Sequence, residues 1–238
     1  MDFSVFIRLL GVLTSLLMFL SQWGTITKIM AARNSAEFNA APFLAEFLNC
    51  LIGLLYGLPI VSPDNNVVLV VNAIGLLAES VYLMVFVVHS EMYTKIQVIA
   101  TIFLELLAGG FIGLIFSELP FGYVRVHTAS HLCVMIGILF LFGAPISDLT
   151  KAWKLKSIAH MPLLPCIGSF VNSFLWISYF CIRRNYPLVL LNAIGLLVGG
   201  LQVFTHYWFS HLAHPVVHVS DPAHDEQTLV PLNQESDS

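Results

Sequence analysis

The string NAIGLL occurs at residues 72–77 and again at 192–197, an offset of 120. Both copies sit in long apolar runs, "VVNAIGLLAE" and "LLNAIGLLVG". The match extends beyond the string. Pro42 lies 30 residues before Asn72, and Pro162 lies 30 before Asn192. Further upstream, "SQWGTITKIM" (21–30) resembles "APISDLTKAW" (144–153) at an offset of 123, so the three-residue difference falls in the loop before each proline. A chain duplicated on this scale must fold its two halves alike. It also places the same polar side chain twice where the surroundings penalise it.

The solvent of those halves follows from composition. Of 238 residues, 58% are hydrophobic and 10% charged, with a mean hydropathy of +0.85. Soluble domains carry roughly a quarter charged residues. Too little charge is present to cover a water-facing surface, so lipid is the solvent over most of the length. A spanning helix needs about 20 predominantly apolar residues. Seven candidates fit: 5–27, 42–61, 67–89, 96–117, 129–150, 163–182 and 187–210. Spans one to three match spans five to seven. Span four is left as a connector, and a single connecting span makes the two repeats parallel, a known transporter plan. The expected fold is therefore an all-α membrane protein with seven transmembrane helices. Two parallel three-helix bundles are joined by a linker helix, a 3+1+3 arrangement. The expected units are 1–90 (first repeat), 91–127 (linker helix and loops), 128–211 (second repeat) and 212–238 (a disordered cytosolic tail).

Orientation is read from Lys and Arg. With the N-terminus outside, Lys28, Arg33, Lys95, Lys151, Lys154 and Lys156 fall inside, and Arg8, Arg125, Arg183 and Arg184 fall outside. That imbalance favours an outside N-terminus and a cytosolic C-terminus. The tail holds Asp221, Asp225, Glu226, Glu235 and Asp237 without Lys or Arg. No basic patch points to nucleic acid. Cys50, Cys133, Cys166 and Cys181 lie in apolar runs without CxxC spacing and read as packed free thiols. His211, His214 and His218 have helical spacing, but Pro215 interrupts them, and a solvated tail is the simpler reading than a metal site. The first apolar run is long and no small-residue cleavage site follows it, so no cleavable signal is expected.

In order and spacing, several stretches resemble the eukaryotic SWEET sugar transporters, within the wider PQ-loop group. They are "RNSAEF" (33–38), "LNCLIGLLYGLP" (48–59), "NAIGLLAESVY" (72–82), "GAPIS" (143–147), "KSIAHMP" (156–162), "FLWISY" (174–179) and "NAIGLLVGGLQ" (192–202). The resemblance covers 5–210. It implies facilitative, bidirectional movement of mono- or disaccharides by alternating access, from a site between the two bundles. It also implies a bilayer as environment, a plasma membrane or other endomembrane location, frequent homo-oligomers and no cofactor.

Candidate site residues follow. An amide in hydrocarbon costs several kcal/mol unless its hydrogen bonds are met. A sugar hydroxyl both donates and accepts, as an asparagine amide does. The residues alone leave Asn72 and Asn192 open to either substrate contact or interhelical hydrogen bonding; the resemblance matches them to the family's paired sugar-binding asparagines. Tyr56 and Trp176 each stand 14 residues after a repeat proline, as an aromatic pair able to stack on a sugar's C–H face. Gly53 and Ser173 correspond at 11 residues after the prolines, with Gly53 leaving room in the cavity wall. Asn49 and Asn172 are further lining candidates. Among gating prolines, the resemblance carries over Pro42, Pro145 and Pro162, while Gln22 stands at the fourth position. Gln22 is expected to alter gating or to hydrogen-bond across a closed gate. Asn185, Leu191 and Phe180 stand where the family usually has Asp, Pro and Gly, and Asn185 makes the outer gate less acidic. Glu46, Glu79, Glu105 and Arg8 lie in or near spans without an assigned role.

Competing classes remain. A PQ-loop amino-acid transporter or cargo receptor would need paired charges at its cavity. A seven-helix receptor lacks this duplication and bears an arginine motif after its third helix, where this chain reads "VVHSEMYTK". No nucleophile–base pair or metal cluster suggests an enzyme. Gly53 enlarges the expected cavity while Trp176 and Tyr56 narrow it, and glucose is favoured over sucrose as substrate.

Overall fold

The computed structural model describes residues 3–212, apart from 64, 121, 141–142, 159–160 and 162. Pro162 and residues 213–238, which include most of the expected tail, therefore lie outside the described residues. All regular structure among the described residues is helical: α1 (Phe3–Ser21), α2 (Trp23–Ala32), α3 (Ala41–Gly57), α4 (Asn66–Val88), α5 (Met92–Glu118), α6 (Tyr123–Phe140), α7 (Gly143–Leu155), α8 (Leu163–Ile182) and α9 (Tyr186–Tyr207). A single π turn, Trp208–Leu212, extends α9.

The first expected span runs through α1 and α2, with a break at Gln22. The fifth corresponds to α6 and α7, with Pro145 in the first turn of α7. At Gln22 no proline is present. The turn there tightens instead, with Gln22 N–H donating to Phe19 O at 3.3 Å and Thr25 N–H to Gln22 O at 3.0 Å. The Tyr82 hydroxyl donates to the same Phe19 carbonyl at 3.1 Å and ties the break to α4.

Helix ends follow their local sequence. Pro42 sits in the opening turn of α3, where its missing N–H interrupts no helical bond. It therefore starts α3 and interrupts no bond within it. Arg33 closes α2 in a left-handed conformation, φ 51°. Asn185 caps α9, accepting from Leu188 N–H at 3.4 Å, with Pro187 just inside.

Helix lengths suit a bilayer. Val5–Ala32, α4, α5, α8 and Tyr186–His211 are each long and apolar enough to cross, and α3 is a shorter apolar helix. Their outer faces present Leu77, Phe111, Leu114 and Leu197, which lipid covers at no hydrophobic cost.

Packing repeats with the sequence. α3 pairs with α4 as α8 pairs with α9; α1 and α2 lie on α4 as α6 and α7 lie on α9. Across the middle, α1 meets α8 and α6 meets α3. The connector α5 packs on α3 and α4. Small residues set the closest approaches. A Cβ on Gly75 would lie 2.5 Å from the Phe19 ring, and one on Gly199 3.1 Å from Phe170 N.

Candidate functional site

Between α1, α3, α4, α6, α7, α8 and α9 lies a cavity of about 390 Å³. Its wall includes all six residues expected to touch substrate: Asn72, Asn192, Trp176, Tyr56, Gly53 and Ser173. Asn49, Asn172, Gln22 and Pro145 also line it; Pro42 and Asn185 do not.

The two amides have the same local arrangement. Asn72 Nδ2 donates to Val68 O at 2.7 Å, and Asn192 Nδ2 donates to Leu188 O at 2.8 Å. Each helix thus satisfies one N–H of its own asparagine through the carbonyl four residues back. Among the described residues no donor reaches either Oδ1, which leaves an acceptor and a second N–H at each wall. The penalty of an amide in hydrocarbon is therefore met in part by backbone, not by a ligand alone.

Gly53 has a different role from the one its spacing suggests. A Cβ there would stand 2.3 Å from Asn72 Oδ1 and 2.7 Å from Nδ2. The missing side chain is filled by the Asn72 amide, so Gly53 positions that amide more than it widens the space. The second repeat has Ser173 at this position, 8% exposed.

Trp176 is held by side chains the sequence did not single out. Its indole N–H donates to Ser15 Oγ at 3.0 Å. Ser15 and Thr14 each donate to Asn172 Oδ1 at 2.9 Å. Serine and threonine in an apolar helix carry no spacing signal, and only the α1–α8 register shows their use. Phe180 stacks on Trp176 at 5.6 Å between centroids, and Tyr179 meets it edge-on at 5.5 Å. Phe180 thus fills space beside the indole and narrows the cavity from that side.

Tyr56 departs from its repeat partner. It is 1% exposed, and its hydroxyl accepts from Asn185 Nδ2 at 2.5 Å and from Asn65 Nδ2 at 3.4 Å. Asn185 Nδ2 also donates to Ser130 Oγ at 3.1 Å, and the Tyr179 hydroxyl donates to Asn65 Oδ1 at 3.2 Å. Asn65 further donates to Ser62. These groups from α3, α6, α8, α9 and the α3–α4 loop form a hydrogen-bonded plug at the end of the bundle that holds the N-terminus. Arg125 secures the same end, donating to Ile60 O at 2.8 Å and to Leu119 O. Asn185 is therefore part of this hydrogen-bonded network. Asn65, Ser130 and Tyr179 are additions that no local pattern revealed.

The cavity continues toward the opposite end, past Ser21, Gln22, Glu46 and Pro145. There Glu46 accepts from Asn49 Nδ2 at 3.1 Å. Gln22 does not bridge the two halves. It donates to Glu79 on α4, within its own half, at 2.7 Å. No Lys, Arg or His stands among the lining residues. The wall offers amides, hydroxyls, one carboxyl and an indole face, a set matched to a neutral polyol.

Comparison with known proteins agrees with this chemistry. The model of a family described as "Sugar efflux transporter for intercellular exchange" matches residues 5–94 and 127–213. The rice (Oryza sativa subsp. indica) bidirectional sugar transporter SWEET7b is 31% identical over 206 residues, covering 84% of this chain and 75% of that one. Arabidopsis thaliana SWEET5, also a bidirectional sugar transporter, is 27% identical over 206 residues, covering 84% and 83%. A solved eukaryotic SWEET transporter superposes with a TM-score of 0.81 at 24% identity, covering 87% of this chain and 96% of that one. The likeness in fold is to that all-helical membrane architecture.

Proposed function

Because this chain belongs to the family of sugar efflux transporters for intercellular exchange, we propose that it carries a hexose such as glucose passively across a membrane, in either direction. The observation that carries this reading is the shared cavity: Asn72 and Asn192 stand at one wall each, with half of each amide uncommitted.

In this reading the sugar lies between the paired amides and against the Trp176 face. Its hydroxyls complete the hydrogen bonds that the helices leave open. Gly53 positions Asn72, and Ser173 adds a hydroxyl in the other half. The hexose preference is supported by Phe180, which occupies space beside the indole. A charged cargo is disfavoured by a wall without cationic side chains. Transport requires the cavity to face each side in turn. The plug around Tyr56 and Asn185 closes one end, and Gln22 and Pro145 line the cavity toward the other. Two three-helix repeats with α5 between them suit such rocking, and the family match in two blocks with residues 95–126 between them supports that division. The lysine and arginine distribution supports an outside N-terminus, so the plug would be the outer closure.

Uptake of labelled glucose and sucrose by yeast lacking its own sugar carriers tests the reading. Expression of the chain is expected to give glucose uptake well above sucrose uptake. Trp176→Ala is expected to reduce glucose uptake, since the sugar's C–H face loses the indole it packs against. Sucrose uptake equal to or above glucose overturns the hexose assignment, and no uptake of either sugar overturns the transport reading.

A further inference from the structure

Glu79 is fully buried on α4, at the level of the break between α1 and α2. Among the described residues no Lys, Arg or His pairs with it; Lys151 and Asp148, which form an ion pair, lie on α7. Its one hydrogen bond comes from Gln22 Nε2 to Oε1. The second carboxyl oxygen, Oε2, is buried without a partner, and so is the remaining oxygen of Gln22, Oε1. The two orphans therefore belong to the same amide–carboxyl pair.

Every neighbouring element leaves the deficit in place. On α3, Glu46 and Cys50 are close enough to interact electrostatically with Glu79, and both are acids. On its own helix, Tyr82 has already committed its hydroxyl proton to Phe19 O. α1 and α2 present Gln22 and Trp23, the latter against the Tyr82 ring. α5 packs on α4 and carries Glu105, another carboxyl with a buried, unpartnered oxygen. Two buried acceptors facing no donor are costly, and an unpaired buried carboxylate is costlier still.

We propose that Glu79 and Gln22 form a proton-binding site: a proton on Glu79 Oε2 donates to Gln22 Oε1, closing a cyclic acid–amide pair that latches the α1–α2 break to α4. One proton supplies the donor that both orphan oxygens lack. Nothing equivalent exists in the second half, where Pro145 and Gly199 occupy the matching positions. The site therefore acts on one repeat alone. Loss of the proton leaves an anion facing Glu46 with no cation, which weakens the latch and frees the break to move. Transport is then faster in alkaline than in acid medium, with the proton acting as a brake and not as a co-substrate.

Infrared spectra of the purified full chain test the site directly. The parent is expected to show a protonated-carboxyl stretch at neutral pH that Glu79→Gln removes. Gln22→Leu keeps the acid but takes away its amide partner, and is expected to shift that stretch upward in frequency. A parent spectrum that superposes on that of Glu79→Gln overturns the proposal, as does an unshifted band in Gln22→Leu. Glucose exchange in liposomes buffered identically on both sides tests the coupling. The parent rate is expected to rise about threefold from mildly acidic to mildly alkaline buffer, well under 1 kcal/mol of barrier. Glu79→Gln is expected to keep the parent's acid-side rate throughout. A pH response equal in both overturns the latch. Only this second arm rests on the sugar-carrier reading: a chain that moves no sugar yet shows the Glu79 band refutes that reading and leaves the proton site standing.

Discussion

At the scale of single residues, the site depends on one missing side chain. Asn72 can lie along α3 only because residue 53 has no Cβ, whose nearest neighbour would be Asn72 Oδ1 at 2.3 Å. Gly53→Ala is therefore expected to displace the amide and reduce glucose flux to the level of Asn72→Ala, with the protein still folded and inserted. Flux and cell-surface abundance measured together check this; parental flux in Gly53→Ala would return the glycine to a simple gap in the wall. The repeat made the pairing of residues 53 and 173 legible, but not the reason for the glycine. That reason is a contact between helices, and one-dimensional spacing does not contain interhelical register. The same limit hid Thr14 and Ser15. They reach Asn172 across 158 and 157 positions, and nothing local marks them.

At the scale of elements, the first span is broken without a proline: its break is held by a tightened turn, Tyr82 and the Gln22–Glu79 bond. Apolar length revealed the span but not the break, because hydropathy is blind to where a backbone bond is lost. The opposite end is closed by side chains from four helices and a loop, centred on Tyr56 and Asn185. Removing the Asn185 amide takes one hydrogen bond from each of the Tyr56 and Ser130 hydroxyls, which keep Asn65 Nδ2 and Val126 O as partners, at about 1 kcal/mol for each bond lost. Asn185→Ala is therefore expected to open that end more often. Cys133 is a native reporter, since it lines the cavity and is nearly buried. In a Cys181→Ser background, which removes the exposed thiol at the same end, a membrane-impermeant maleimide added from that side is expected to label Cys133 several-fold faster in Asn185→Ala. Equal labelling rates would show that the plug does not limit access.

At the scale of the molecule, the duplication organises everything else. Matched helix pairs, α3–α4 and α8–α9, each bring one asparagine to a common space. That much followed from the repeat and the apolar runs. The spacing also offered Tyr56 and Trp176 as an aromatic pair at equivalent positions, and here the halves differ: the Trp176 indole is held by Ser15 at the cavity wall, while the Tyr56 hydroxyl is drawn into the plug. Duplicated sequence fixes equivalent positions, and diverged neighbours then decide what each position does. Orientation is the remaining molecular expectation. An N-terminal epitope is expected to be reached by antibody on intact cells, and a C-terminal one only after permeabilisation. The reverse pattern would make the Tyr56–Asn185 plug the cytosolic closure.

The central claim is that two equivalent amides hold one neutral sugar between them. Glucose exchange by Asn72→Ala and Asn192→Ala, each purified and reconstituted at equal density, tests it most directly. Each variant is expected to lose about tenfold or more, the value of one or two hydrogen bonds to the sugar. Parental exchange in both variants would contradict the account.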